Sequence, residues 1–543
     1  MKMFKIKINL NYFLSPILLM LLQVFCYSCG HEKAGNENIN VNDSSSSKSE
    51  NSNIEKSDPV INKYNDESSK KAAEKCISKI NDNIENYCNE QNAEWQVIIA
   101  NGTPIGYSTY LRTVENDNVI TCNNSVMTIN RGIIKLKIES AVIVRESVGG
   151  KPLSYDFKMS GSGLNQYSRG KVLDTSIDID TVISGRLSTK SLKYEDEFWF
   201  DEGIRLKMVE LVKTKHKFSI PGFDPLLGEF SNRDYLVLTE AKDSNKLLPI
   251  EVTEKSGGIS LVSTLWFNKK MIPKRSSGRI AGITFETYET DRDTALNNKP
   301  GELPFDIFES SFLQSPAILS KSIRKGTLSY RIRPLQKDKE LSFVNSKEQS
   351  CTLNNGVYVV DINNVKPDND FYVVTGYDTE TAKYLQPNNW IQSDNPLIEE
   401  LSKKAFLRKP SVSSIERFVS EYIRYPGLST AYATALDVAQ NRKGDCSEFA
   451  LLTAGIFKAA KIPSRVVFGL VYTESKKNGE LSGEFLGHAW TQIFVKDGWY
   501  SVDSALQGFD SGHIALGVSD GDPKGLYEVM GTFGEFRIES ISK

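Results

Sequence analysis

From Trp95 to about Leu296 the chain is a succession of short β-branched and aromatic runs broken by Gly, Asn and Asp, and this texture restricts the fold more than any other feature. Gln96 to Ile99, Ile133 to Arg145, Thr181 to Ile183 and Gly282 to Tyr288 are examples. The Gly149-Gly150 pair between Val142-Ile143-Val144 and Leu153-Ser154-Tyr155 is a hairpin signal, because glycine takes the positive φ that tight β-turns require. The pattern predicts an antiparallel β domain whose alternating apolar residues form one buried sheet face. A concavity for a lipid or peptide is the alternative reading of that alternation. Pro221 followed by Gly222-Phe223-Asp224-Pro225 is expected to be a turn between two β halves. A second β-rich piece runs from about Ser310 to Tyr384, with strands expected at Thr327 to Ile332 and Gly356 to Ile362, and Gln386-Pro387 closes it.

The N-terminus is built differently. Lys2, Lys5 and Lys7 precede an apolar stretch from Tyr12 to Tyr27 that ends at Ser28 and Cys29, the layout of an export signal. The apolar run is short for a membrane span and is interrupted by Ser15, Pro16 and Gln23. A Cys at its end, followed by Gly30, resembles a bacterial lipoprotein signal, with lipidation at Cys29; Cys26 stands where such signals usually carry Leu, Val or Ile. A plain signal peptide or an uncleaved anchor is the alternative. Residues 29–70, rich in Ser, Asn, Glu and Lys, have almost nothing apolar to bury and are expected to form a disordered tether.

The 66 basic and 68 acidic side chains nearly balance, so no field of one sign favours nucleic acid, and nucleic-acid binding is not expected. The remaining cysteines outside the chemistry described below are Cys76, Cys88, Cys122 and Cys351, too few and too widely spaced for a disulfide scaffold, although one or two bridges could form in an oxidising compartment. Residues 71 to 92 show one amphipathic helix, along which Cys76 and Cys88 would lie about 18 Å apart and could not pair. No CxxC or Cys/His cluster has zinc-site spacing, and no acidic loop has the spacing of a calcium site. No metal or cofactor is expected.

Helical periodicity returns at Ser413 to Tyr425, where Ser413 and Glu416 have capping-box spacing and Ile415, Phe418, Val419, Tyr422 and Ile423 mark an apolar stripe. Chemistry begins at Arg442-Lys443-Gly444-Asp445-Cys446-Ser447-Glu448, which leads from a glycine turn into a helix expected to reach about Ala460. Asp445 and Glu448 hold N-cap and N3 spacing, so Cys446 falls in the first helical turn, where the helix dipole favours a thiolate. A small cysteine packed at a helix start would look the same. Gly487-His488-Ala489-Trp490 follows on a strand, then a turn at Lys496-Asp497-Gly498 and a strand from Trp499 to Asp503. A thiolate attacking an amide needs an imidazole to carry its proton, and the imidazole needs a carboxylate to hold its tautomer. Cys446, His488 and Asp503 supply those three types in that order.

Together with Ala460-Lys461-Ile462-Pro463-Ser464-Arg465-Val466-Val467 leading to Gly469, these segments resemble the transglutaminase-like superfamily. Cys and His are 42 residues apart (488 minus 446) and His and Asp 15 (503 minus 488), in agreement with the family. The resemblance covers about a fifth of the chain. It implies an α+β, papain-like core with a Cys-bearing helix packed on an antiparallel sheet that carries His and Asp. It also implies amide chemistry through an acyl-enzyme, with Cys446 as nucleophile, His488 as base then acid, and Asp503 as its orienter. Bacterial members are hydrolases more readily than cross-linkers, and the competition between water and an amine stays open. The Cys446 amide is the natural first oxyanion donor, and Gln440, six residues before the cysteine, is a second candidate, although the favoured reading of Gln440 is a solvent-exposed loop residue. Trp490 and Trp499 are expected under the sheet or walling a cleft. His513, in Gly512-His513-Ile514, resembles part of the family's C-terminal extension and is expected to be structural.

One register does not close. If Asp497-Gly498 were a two-residue loop, His488 and Asp503 would share a face four residues apart, about 13 Å, so a different turn or a bulge is expected between Val495 and Trp499. The chain thus divides into a signal segment (1–28), a tether (29–70), a helix with a β-rich domain (71–300), a second β-rich segment (301–390) and a transglutaminase-like domain (391–543). The sequence points to an exported, lipid-anchored envelope enzyme acting on a protein or peptide substrate, of unspecified oligomeric state. A non-catalytic binding module of the same fold, or a ligand carrier using the β-rich half, are the competing readings.

Overall fold

The computed structural model describes residues 67–543 apart from 239–246, 298–312, 368–376, 427–431 and shorter gaps of one to three residues, so the export signal, Cys29 and the tether lie outside the described residues. Helix α1 (Glu67–Tyr87) leads into a continuous antiparallel sheet of fourteen strands, from β1 (Glu94–Ala100) to β8 (Arg186–Lys193) and, after helix α2 (Asp201–Leu211), from β9 (Lys217–Asp224) to β14 (Ile283–Thr290). Their order is β8-β7-β6-β5-β4-β3-β2-β1-β14-β13-β12-β11-β10-β9, two meanders joined by the first and last strands. Local turn chemistry explains the hairpins. Asn101-Gly102, Asn116-Asp117 and Ser184-Gly185 each place two consecutive residues at positive φ, which matches the strand twist in a two-residue loop.

The expected turn at Gly222 to Pro225 is overturned. Pro221 to Asp224 lie within β9, and α2 separates the two halves. Proline survives there because β9 is an edge strand, where a missing N–H costs no ladder bond on the open side. The buried face of the sheet is not uniformly apolar. Tyr110, Thr121 and Asn123 on one meander share that face, by register, with Ser231, Arg233, Tyr235 and Ser256 on the other. All seven are buried, and each presents a side-chain polar atom without a protein partner. Such a face is unfavourable for an apolar ligand.

α1 packs Ala73, Cys76 and Ile80 against Val182, and the residue after it, Cys88, is disulfide-bonded to Cys122. Cys76, Cys351 and Cys446 are not disulfide-bonded. α2 is capped from afar: the Glu146 carboxylate accepts the Glu202 and Gly203 amides at 2.7 and 2.9 Å, and burial holds its pKa far above the ordinary carboxylate value.

The C-terminal half holds two further sheets, the first of which packs against a buried helix. The first joins β15 (Leu313–Gln314), β21 (Ser464–Lys477), β22 (Glu480–Val495), β23 (Gly498–Val502) and β24 (His513–Ser519). The second joins β16 (Leu328–Pro334), β17 (Gln349–Asn354), β18 (Val357–Ile362) and β25 (Phe536–Ser542), so the division expected at 390 cuts across a single sheet. Helices α3 (Pro396–Ala405), α4 (Val412–Tyr422), α5 (Ala435–Asn441) and α6 (Cys446–Ala459) complete it, with the short parallel pair β19 (Tyr425–Pro426) and β20 (Lys443–Gly444). α6 is apolar on every side and buried from Cys446 to Lys458, as a helix covered by both sheet and helices must be. Truncating its fully buried Leu451, Leu452 or Phe457 would cost roughly 2–5 kcal/mol each.

Candidate active site

The start of α6 is fixed by reciprocal capping. The Asp445 carboxylate accepts the Ser447 amide at 3.2 Å, while Glu448 returns to accept the Asp445 amide at 2.8 Å and the Ala433 amide at 2.7 Å. Gly444 is required just before it: φ is +155°, and a Cβ there would stand 2.2 Å from the Glu448 Cβ. Cys446 therefore takes the first helical position, within the first turn that the sequence predicts, and it is fully buried.

His488 lies in the middle of β22, opposite Gly469 on β21, and β22 is tied to α6 by a 2.9 Å bond from the Thr491 hydroxyl to the Ala450 carbonyl, one turn beyond Cys446. Asp503 follows the end of β23. His488 Nε2 and Asp503 Oδ2 are 2.8 Å apart, at 0% and 1% exposure. Of the two expected solutions, a different turn or a bulge, the structure uses the different turn: the hairpin closes one residue earlier than an Asp497-Gly498 loop would. Val495 pairs with Gly498 and the ladder runs unshifted to Thr491–Val502, with Lys496 at φ +55°. By that register Asp503 falls opposite position 490, two residues from His488 instead of four, and leaving the strand lets its carboxylate close the remaining gap.

The carboxylate is saturated. Oδ1 accepts the amides of Ala505 and Leu506 at 2.9 and 3.1 Å, and Oδ2 accepts from His513 Nε2 at 3.1 Å as well as from His488. Burial alone would raise the Asp503 pKa, but the two histidines outweigh it and hold the group well below the usual carboxylate range. Around this pair lies a shell that the sequence reading missed. The Asp503 amide donates to Glu416 at 3.1 Å, and burial, reinforced by the Asp503 charge, pushes Glu416 up to about 7. Glu416 was expected to cap α4 with Ser413. Ser411 and Ser414 form that capping box instead, which frees Glu416 to turn inward. Glu348, between β16 and β17, accepts the Ser501 amide and hydroxyl at 2.6 and 2.7 Å and is pushed up to about 7 by burial. The Ser501 hydroxyl also accepts from Trp490 Nε1 at 3.1 Å, and the Trp490 ring stacks on His488 with centroids 5.9 Å apart. Trp499 packs differently, under the Arg465 guanidinium at 4.0 Å and against Tyr384.

Gln440 is exposed on the last turn of α5, in contrast to the buried Cys446. His488, Asp503 and His513 bring three atoms within 4.8 Å of one another, and these are residue types that also bind metals. The contacts at 2.8 and 3.1 Å are hydrogen-bond lengths, however, and protons on the two imidazoles satisfy the carboxylate without a cation.

Residues 397–504 match the family model described as the transglutaminase-like superfamily, a span that includes Cys446, His488 and Asp503. An uncharacterized protein of Mycobacterium leprae (strain TN) is 27% identical over 105 residues, 19% of this chain and 37% of that protein, so the chain spans little more than a third of that relative's length. Solved structures with partial likeness include a "putative cysteine protease" from Cytophaga hutchinsonii (16% identity, 43% of this chain and 84% of that one, TM-score 0.27). A β-barrel-like protein of a domain of unknown function from Brucella abortus gives 10% identity over 37% of this chain and 96% of that one, TM-score 0.30. The periplasmic domain of TgpA from Pseudomonas aeruginosa, bound to ethylmercury, gives 18% identity over 36% of this chain and 75% of that one, TM-score 0.24.

Proposed function

Residues 397–504 of this chain are a transglutaminase-like core, and on that premise we propose that the protein is a cysteine enzyme acting on amide bonds of proteins or peptides. The observation that carries the reading is the buried His488–Asp503 pair at 2.8 Å on the sheet that packs against the helix headed by Cys446. Asp503 fixes the proton of His488 on Nε2, so Nδ1, on the other side of the ring, exchanges the proton with sulfur. The Cys446 thiolate adds to the amide carbonyl, the oxyanion is met by the Cys446 amide at the helix N-terminus, and collapse gives a thioester while His488 hands its proton to the departing amine. Water, deprotonated by the same imidazole, then releases the acid and restores the thiol. An amine in its place would give a new amide, and hydrolysis is the preferred outcome.

Cys446 and His488 are both 0% exposed. The N-terminal sequence supports export and lipid anchoring at Cys29 as the setting of this chemistry. No helix among the described residues is long and apolar enough to cross a membrane.

The test is iodoacetamide labelling of the full chain at pH 6.5, with each cysteine followed by peptide mass spectrometry. At that pH a free thiol of pKa ~8.5 is only about 1% ionised. Cys446 is expected to react at least tenfold faster than the half-buried Cys351, and His488→Ala should remove that advantage. Once a substrate is found, Asp503→Asn should lower turnover by as much as about 10⁴-fold through the wrong tautomer. A Cys446 that reacts no faster than Cys351, or that ignores His488→Ala, would mean that the fold serves as a non-catalytic binding module.

A further inference from the structure

Asp503 carries a second imidazole. His513 Nε2 lies 3.1 Å from the same Oδ2 that His488 Nε2 reaches at 2.8 Å, and both bonds require a proton on the nitrogen because the carboxylate can only accept. On its other side His513 Nδ1 sits 3.0 Å from the Asp510 carbonyl and 3.3 Å from the Asp510 carboxylate. Asp510 is in turn ion-paired to Arg324 and accepts the Gly512 amide at 2.9 Å. The result is a chain of alternating hydrogen-bond donors and acceptors, His488, Asp503, His513, Asp510, Arg324, of which the first three members are fully buried. The His513 ring is held in place by Phe509 and Trp490 at centroid distances of 4.9 and 5.3 Å, and Trp490 also stacks on His488.

We propose that His513, which the fold places behind the Cys446–His488–Asp503 constellation, is a positioning residue for the reaction: it fixes the Asp503 carboxylate so that Oδ2 faces His488, and it shares that oxygen's charge. This inference rests on the proposed function and deepens it. The two backbone amides on Oδ1 would let the carboxylate pivot about its Cγ, and a second donor on Oδ2 removes that freedom. The charge balance follows from the groups that face His513 or act on it: Asp503 and Asp510 as anions, His488 across the shared oxygen, Arg324 behind Asp510, and Glu416 and Glu348, each raised to about 7 and so about half ionised at pH 7. The two aspartates outweigh the burial that would otherwise lower the His513 pKa, and they raise it. The Asp510 amide also points at His513 Nδ1, at 3.3 Å, and the ring donates to Asp503 through Nε2 in either charge state.

The experiment compares His513→Leu and His513→Gln with wild type in the full chain, measuring the Cys446 carboxamidomethylation rate with iodoacetamide from pH 5 to 9. Cys351 is the internal control for global unfolding, and His488→Ala is the reference for loss of the pair. Leucine removes the donor, and the rate at pH 6.5 is expected to fall about ten- to a hundredfold, the worth of one hydrogen bond to a charged group, with the pH profile displaced upward. Glutamine keeps an N–H donor but does not titrate, and is expected to recover the rate to within about threefold, with a profile shape unlike wild type. Leucine equal to wild type, or glutamine as slow as leucine with Cys351 unchanged, overturns the positioning role while leaving the proposed function intact. A wild-type Cys446 indifferent to His488→Ala overturns both.

Discussion

Glu416→Gln removes a buried carboxyl group beside Asp503 while keeping a side-chain oxygen that can accept the Asp503 amide, now at 3.1 Å. The Glu416 pKa is pushed up from 4.5 to about 7, chiefly by burial and then by the Asp503 charge. Below the unfolded value both states hold the proton and the group costs nothing. As pH rises from there, the unfolded chain releases its proton first, so folding stability is lost progressively up to about pH 7 and is level above it. At 1.36 kcal/mol per unit the full loss is about 3 kcal/mol, of which about 1 kcal/mol is already present at pH 5.5, leaving about 2 kcal/mol to develop by pH 8.5. Glutamine does not titrate. The variant should therefore gain about 2 kcal/mol on wild type between pH 5.5 and 8.5, read as the difference in urea midpoints multiplied by a common slope and followed by tryptophan fluorescence. In an Asp503→Asn background the gain should shrink, because one cause of the shift is gone. A gap between Glu416→Gln and wild type that is the same at both pH values, or that closes as pH rises, would refute the account of Glu416 as a buried, mostly neutral acid.

Two further expectations concern the frame around the site. Cys122→Ser opens a disulfide that closes 34 residues and should cost the β-rich half about 4 kcal/mol, seen as a lower urea midpoint that matches wild type in reductant. Gly469→Ala should abolish soluble folded protein or destabilise it severely, because its Cβ would stand 2.1 Å from the Ile514 carbonyl oxygen and 2.9 Å from the Trp490 ring, directly opposite His488; a far-ultraviolet dichroism melt like that of wild type would show that this crowding is relieved at little cost.

What the sequence determined by itself is local or follows chain order. The Asp445 and Glu448 capping box that sets Cys446 at the head of α6 spans four residues, and the positive-φ turns at Asn101-Gly102 and Ser184-Gly185 span two. Their energetics depend on neighbours along the chain, so residue types at fixed spacing suffice to predict them. The succession of Cys446, His488 and Asp503 is legible for a similar reason, since each type stands in an element whose periodicity is visible. Where two local solutions compete, the sequence misleads. Ser411 and Ser414 cap α4 where Ser413 and Glu416 have the textual spacing, because burying Glu416 against the Asp503 amide satisfies a backbone donor that no nearby residue reaches. Tertiary structure alone decided the rest: the pairing of β1 with β14, the Cys88–Cys122 bond, Glu348 meeting Ser501 across 153 residues of chain, and His513 meeting Asp503. Those contacts join segments whose separate patterns carry no trace of one another. They are selected only when the whole buried surface closes, where an unpaired carboxylate or amide costs more than any local preference gains.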